Sequence, residues 1–313
     1  MNDVAPRGRF LFLDRQGKGL AFSQALRDRG WRTTLYHERA SFVLTDSDTP
    51  GRRIHLECAR SYGAGTHLFP HSSRPILTWD FPIYSPWEHT QAQYVVNENH
   101  AEIMRMYGYS KPLHPVGWSY CEMRPFQPCF PPKKILFGPI HPVVSTGWLS
   151  ETDKKINRSV FQRLLKVFKC RYIELTVRYL GTLEQNGLWL EPGVNFIQGS
   201  PELCTVEIDA ADVVISHETL LYMAVAKGKG AIGLAEWETP RSGASKETYM
   251  LVEHWDDYKD LVMFPYSILA EDDTFGMIER AARSDIDIAG WRERIIGQPF
   301  DADLFVHTLE SYL

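Results

Sequence analysis

The sequence predicts an α/β protein made of two doubly wound halves in tandem, each a mostly parallel sheet with helices on its faces. Three observations carry this. Short β-rich apolar runs alternate with longer amphipathic stretches from one end of the chain to the other, which is the pattern of βα units. The segment Pro125 to Pro132, PFQPCFPP, holds four prolines and can continue neither a helix nor a central strand. The 313 residues, at about 100 to 200 per domain, divide into two. The expected domains are 1–131 and 132–313.

RFLFLD (Arg9 to Asp14) reads as the opening strand, Gly17-Lys18-Gly19 as its turn, and LAFSQALRDRG as a helix ending at Gly30. TTLYH, RIHLEC, ILTWD and QYVVN read as the remaining strands of the first half. Beyond the prolines, KKILFGPIHP is a strand running into a loop, and ETDKKINRSVFQRLLKVFK is a charged amphipathic helix. CRYIELTVR, NFIQG, DVVIS, AIGLAE and YMLVE read as strands, TLLYMAVAKG as a helix ending near Gly228, and DADLFVHTLESYL as a terminal helix.

Composition narrows the function classes. With 44% apolar, 23% charged and 12% aromatic residues the chain is an ordinary globular protein, not a disordered or fibrous one. Its 34 basic against 39 acidic residues give a net charge of −5, which offers nucleic-acid phosphates no general attraction. No apolar run approaches the ~18 residues of a membrane helix, and no signal segment precedes the first strand, so a cytoplasmic protein without a membrane partner is expected. The five cysteines form no CxxC pair, and His67, His71 and His89 lack helical metal-ligand spacing, so no metal is expected.

The most informative stretch is Ala211 to Glu236, ADVVISHETLLYMAVAKGKGAIGLAE. An apolar strand delivers Ser216, His217, Glu218 and Thr219 to the start of a helix, where backbone N–H groups and the positive dipole end favour an anion such as a diphosphate. This string resembles the donor-binding segment of glycosyltransferases of the GT-B fold. The resemblance implies two Rossmann-like domains facing a cleft and a nucleoside-diphosphate sugar held by the C-terminal one. It also implies an acceptor hydroxyl presented by the N-terminal domain, no further cofactor, and a terminal helix crossing back to the first domain. Some members of that fold glycosylate hydroxylated pyrimidines in viral DNA, so DNA is one candidate acceptor, with RDRGWR (Arg27 to Arg32), Arg52 and Arg53 as the candidate basic patch. The chain departs from the commoner pattern where Glu218-Thr219 replace a Gly pair and Tyr222 stands at the usual position of a ribose-binding Glu. Glu236 is the alternative ribose partner, because a carboxylate accepts from both hydroxyls.

Around the diphosphate, the loop FGPIHPVVSTG offers Gly138 for close backbone approach, with His141 and Ser145 as hydrogen-bonding groups. Arg178 and Arg241 are the candidate phosphate cations. An inverting reaction also needs a base for the acceptor, and Asp80 at the end of RPILTWD is the first candidate, with Asp14 and His71 as competitors. A retaining enzyme would need none. The rival readings are a nucleotide-sugar epimerase or hydrolase using the same diphosphate site, and a non-catalytic two-lobed nucleotide-binding protein.

Overall fold

The computed structural model describes residues 8–13, 19–46, 50–69, 89–106, 109–142, 148–199, 205–234, 264, 266–283 and 286–313. The chain forms two compact units, Met1–Tyr120 with Arg294–Leu313, and Cys121–Glu293.

In the first unit, β1 (Gly8–Leu13), α1 (Leu20–Asp28) and β2 (Trp31–Thr33) lead through a 3-10 turn at His37–Arg39 to β3 (Phe42–Thr45). Then follow α2 (Pro50–Ser61), β4 (Gly65–Leu68), β5 (Ala92–Val95), α3 (Glu98–Met106) and β6 (Leu113–Pro115). The six strands form one parallel sheet in the order β2-β1-β3-β4-β5-β6. Successive side chains of a strand point to opposite faces, and β1 uses both. Phe10 packs with Phe22 and Leu26 of α1, while Leu11 packs with Leu56 and Ala59 of α2.

The second unit contains β7 (Lys134–Phe137), α4 (Glu151–Arg171), β8 (Glu174–Tyr179), β9 (Asn195–Gln198), α5 (Thr205–Ala210), β10 (Val213–Ser216), α6 (Glu218–Ala226), β11 (Gly230–Gly233) and α7 (Thr274–Arg283). Its five strands are parallel in the order β11-β10-β7-β8-β9. The chain returns through α8 (Ile286–Ile295) to α9 (Ala302–Glu310), where Asp301 caps the helix by accepting from the Leu304 N–H at 2.8 Å. Phe305, Val306 and Leu309 of α9 complete the Phe10 core of the first unit.

Two divisions differ from the sequence-based expectation. The proline-rich segment is part of the second unit, because Arg124, Gln127 and Cys129 donate backbone hydrogen bonds to Ala226 O, Gly228 O and Ala282 O at 2.8, 2.9 and 2.8 Å. The last twenty residues belong to the first unit and not to a 132–313 domain, although the crossing back of the terminal helix is itself what the resemblance implies, because the apolar face of α9 is buried there. Within the first half, RIHLEC lies in α2 rather than in a strand: Leu56 and Ala59 are buried at helical spacing, whereas Ile54 is 69% exposed. Phe42–Thr45 and Gly65–Leu68 are the strands flanking it. TTLYH contributes only its first residue to β2, and CRYIELTVR is a strand only from Glu174. ILTWD and YMLVE lie outside the described residues. Among the described residues, no helix is long and apolar enough to cross a membrane, and no three His, Cys, Asp or Glu side chains are grouped to hold a metal.

Candidate ligand site at the strand-order reversal of the second unit

The second sheet grows from β7 outward through β8 to β9, then crosses to the other side of β7 to add β10 and β11. Its strand order therefore reverses between β7 and β10. In open parallel sheets, ligands bind outside the carboxyl ends of the strands at such a reversal. Gly138 follows β7 there, and Ser216 ends β10.

Ser216 is buried and its Oγ donates to Gly138 O at 2.8 Å, which fixes the β7 exit against the β10 exit. A side chain at Gly138 would force its neighbours to shift, since an added Cβ would lie 2.3 Å from Leu220 Cδ2 and 2.5 Å from Ser216 Oγ. We expect Gly138→Ala to lower stability by about 1 to 3 kcal/mol through overpacking and to weaken any ligand at this crevice, as read by thermal melts and titration calorimetry. An unchanged melt would show that Leu220 yields without cost.

His217 stands at the N-cap of α6 in extended conformation (φ −132°, ψ 165°) and its side chain makes no cap hydrogen bond. Glu218 is the first residue of α6 and Thr219 the second, so the expected placement of the SHET turn at a helix start is the one observed. His141 lies across from this turn, its ring centroid 5.6 Å from that of His217. Its Nδ1 is 3.0 Å from Pro142 O, a contact that requires the proton on Nδ1 and leaves Nε2 as the acceptor nitrogen.

The loop carrying His141 is positioned from below by Asn157 of α4, fully buried. Its Oδ1 accepts from the Ile140 N–H at 2.8 Å, and its Nδ2 donates to Ile140 O at 2.8 Å and Asn186 O at 3.0 Å. Helix α4 holds that orientation through Ser150, whose Oγ accepts from the Asp153 N–H at 3.0 Å.

Arg178 ends up at the carboxyl edge of β8, one residue beyond the Phe137–Val177 register pair and so beside Gly138. Its guanidinium lies on Gly199, where a Cβ would be 2.5 Å from Cζ, and its Nε is 3.5 Å from Glu207 Oε1. Tyr222 goes the other way: its ring is 3% exposed and meets Trp291 edge-on at 4.9 Å, as a packing group. Ser145, Glu236 and Arg241, like Asp14, His71 and Asp80, lie outside the described residues.

Two features were missed in the sequence. One is Asn157, a single polar residue on the buried stripe of α4. The other is Asp46. In the first unit the strand order reverses between β1 and β3. Asp46 follows β3 there, 4% exposed, with Arg52 Nη2 3.5 Å from its Oδ1. The signal was FVLTD, an acidic residue closing an apolar run. Because Arg52 is itself buried, it is not part of an exposed basic patch with Arg53.

No protein-family model and no curated protein matches the sequence. Solved structures do match in fold. The chain superimposes on UDP-GlcNAc 2-epimerase from Methanocaldococcus jannaschii with a TM-score of 0.57 at 8% identity, covering 97% of this chain and 99% of that one. The MnaA–UDP complex of S. aureus gives 0.56 at 10% identity, with 97% and 96% covered. UDP-GlcNAc 2-epimerase from Neisseria meningitidis, bound to UDP-GlcNAc, gives 0.53 at 10% identity, with 97% and 98% covered. The fold is GT-B-like. Both units of this GT-B-like chain are Rossmann-like parallel sheets, and the β7–β10 reversal lies in the second of them.

Proposed function

We propose that the chain is an enzyme acting on a nucleoside-diphosphate sugar, with the diphosphate seated at the β7–β10 reversal. The observation that carries this reading is the pairing of Gly138, which brings backbone to the crevice, with the start of α6, whose dipole end favours an anion. His141 Nε2 is the group we assign to a sugar hydroxyl, from which it accepts a hydrogen bond. Arg178 is the assigned cation, with Glu207 Oε1 3.5 Å from its Nε. On sequence grounds Arg241 supplements it, Ser145 adds a hydroxyl, and Glu236 takes the ribose.

The reaction we favour is epimerisation of the sugar, a reading supported by the near-complete mutual coverage with the two UDP-GlcNAc 2-epimerases. Transfer to an acceptor hydroxyl, with Asp80, Asp14 or His71 as base, is the second reading. It is supported by the resemblance of Ala211 to Glu236 to a donor-binding segment. Proton NMR of the chain with UDP-GlcNAc and no acceptor separates them. A C2-inverted nucleotide sugar is expected. UDP release that requires an added hydroxyl compound would establish transfer instead, and failure to bind UDP at all would overturn both.

Thr219→Val removes a hydroxyl from the first turn of α6 with little change of shape, and is expected to weaken UDP binding by on the order of 1 kcal/mol, about fivefold. Calorimetric affinity equal to the parent's would assign Thr219 to capping alone.

A further inference from the structure

At the opposite end of the second sheet, α4 runs into β8 through Tyr172, and this junction borders a groove of about 550 Å³ along β8 and β9. It lies at the amino ends of these strands, whereas the diphosphate crevice lies at the carboxyl ends. The groove is lined by Phe168, Lys169, Tyr172, Glu174, Thr176 and Asn195.

Tyr172 is unusual twice over. It is fully exposed, and it is the one non-glycine residue with positive φ among those described, at 52°. A helix C-cap in this left-handed conformation is normally glycine, because a Cβ there crowds the backbone. Strain of this kind is kept where a side chain is needed in a fixed place. Across the groove Gly193, at φ +83°, brings the loop before β9 against Phe168, where an added Cβ would lie 3.1 Å from Cζ. The groove thus has an exposed ring at one side and a second ring held in its wall.

Its charges cancel locally. Lys169 Nζ is 2.6 Å from Glu191 Oε1, and Glu174 Oε2 is 3.9 Å from Lys134 Nζ. Neither an anion nor a cation is selected. What remains is uncharged hydrogen-bonding capacity: the exposed Asn195 amide makes one long contact, 3.4 Å, to Thr176 Oγ1. An aromatic face beside amide and hydroxyl groups suits a ligand with an apolar C–H face and a rim of hydroxyls.

We infer that this groove is a binding subsite for a neutral sugar residue, stacked on Tyr172 and hydrogen-bonded by Asn195. The inference stands apart from the nucleotide-sugar reading, since none of its residues belongs to the β7–β10 crevice.

Titration calorimetry of the full chain with maltose, cellobiose and N,N′-diacetylchitobiose tests it. At least one is expected to bind saturably, with a dissociation constant of about 1 mM. Tyr172→Gly relieves the backbone strain and should raise the melting temperature by about 2 to 4 °C while weakening that sugar at least tenfold. Asn195→Ala should weaken it several-fold, and UDP affinity should be the same in both variants. A sugar that UDP displaces, that binds Tyr172→Gly equally well, or that fails to saturate for all three compounds overturns the assignment.

Discussion

Lowering the pH from 7 to about 4.5 is expected to unfold the first unit. His67 on β4 is fully buried beneath Tyr312, whose ring centroid is 5.0 Å away, and beside Tyr94 at 6.0 Å. Neither of its ring nitrogens has a hydrogen-bond partner among the described residues. Burial first, and His114 second, push its pKa down to about 3. His100 on α3 is also pushed down to about 3 by burial, although its Nε2 donates to Ile295 O at 2.9 Å. Both are therefore neutral in the folded unit throughout the range in which an unfolded histidine, of ordinary pKa near 6.5, takes up a proton. The unfolded chain binds about two more protons than the folded one between these limits. Stability then falls by up to about 3 kcal/mol for each pH unit below 6.5 and is flat above it. Two units remove about 5 kcal/mol, the lower end of a typical domain's whole stability. Urea titrations at stepped pH, with pulse proteolysis reporting cleavage in the first unit, measure the slope. His67→Leu should halve it. A midpoint constant from pH 7 to 4.5 would show that water reaches these rings.

Asn157→Ala should cost about 3 kcal/mol or more, the largest single-residue effect expected in the second unit. The substitution leaves the Ile140 N–H, Ile140 O and Asn186 O without the partner that satisfies them in a buried site, and each such loss costs about 1 to 3 kcal/mol. It also releases the loop that carries Gly138 and His141, so UDP affinity should fall although residue 157 touches no ligand. Asn157→Asp separates the two effects, because it keeps the acceptor for Ile140 N–H and loses both donors. Denaturant midpoints and UDP titrations on the same samples give both readings. A melt within 1 kcal/mol of the parent would mean that the loop re-pairs with water.

The parts legible in the sequence are those whose pattern is complete within a short window. DVVIS followed by HETLLYMAVAKG announces its strand and helix because an all-apolar run meets a helix start, and β10 and α6 occupy those positions. RIHLEC misleads because Ile54, Leu56 and Cys58 alternate over six residues like a strand. The helical period of α2 shows only across its full twelve. Its neighbours Phe42–Thr45 and Gly65–Leu68 are four residues each and carry threonine or histidine, which hides them as strands. Asn157 looks like surface in a helix rich in Lys and Arg. Only its register with Asp153, Val160 and Leu164 reveals that it faces inward. The position of Tyr222 suggests a ribose contact only by analogy, whereas the buried run Leu221–Ala226 shows that this turn of α6 faces the core.

The return of α9 to the first unit has a consequence for synthesis on the ribosome. Phe22, Leu26 and Phe42 lack their partners Phe305, Val306 and Leu309 until the final helix has emerged, while Cys121–Glu293 is already complete. Domains ordinarily fold in the order in which they are made. Here the later-made unit should fold first, with the N-terminal sheet left unfinished and open to chaperones until α9 has emerged. Nascent chains stalled after Glu293 should accordingly resist protease across the second unit and be cut within the first. Protection of both would show that the first sheet closes without its last helix.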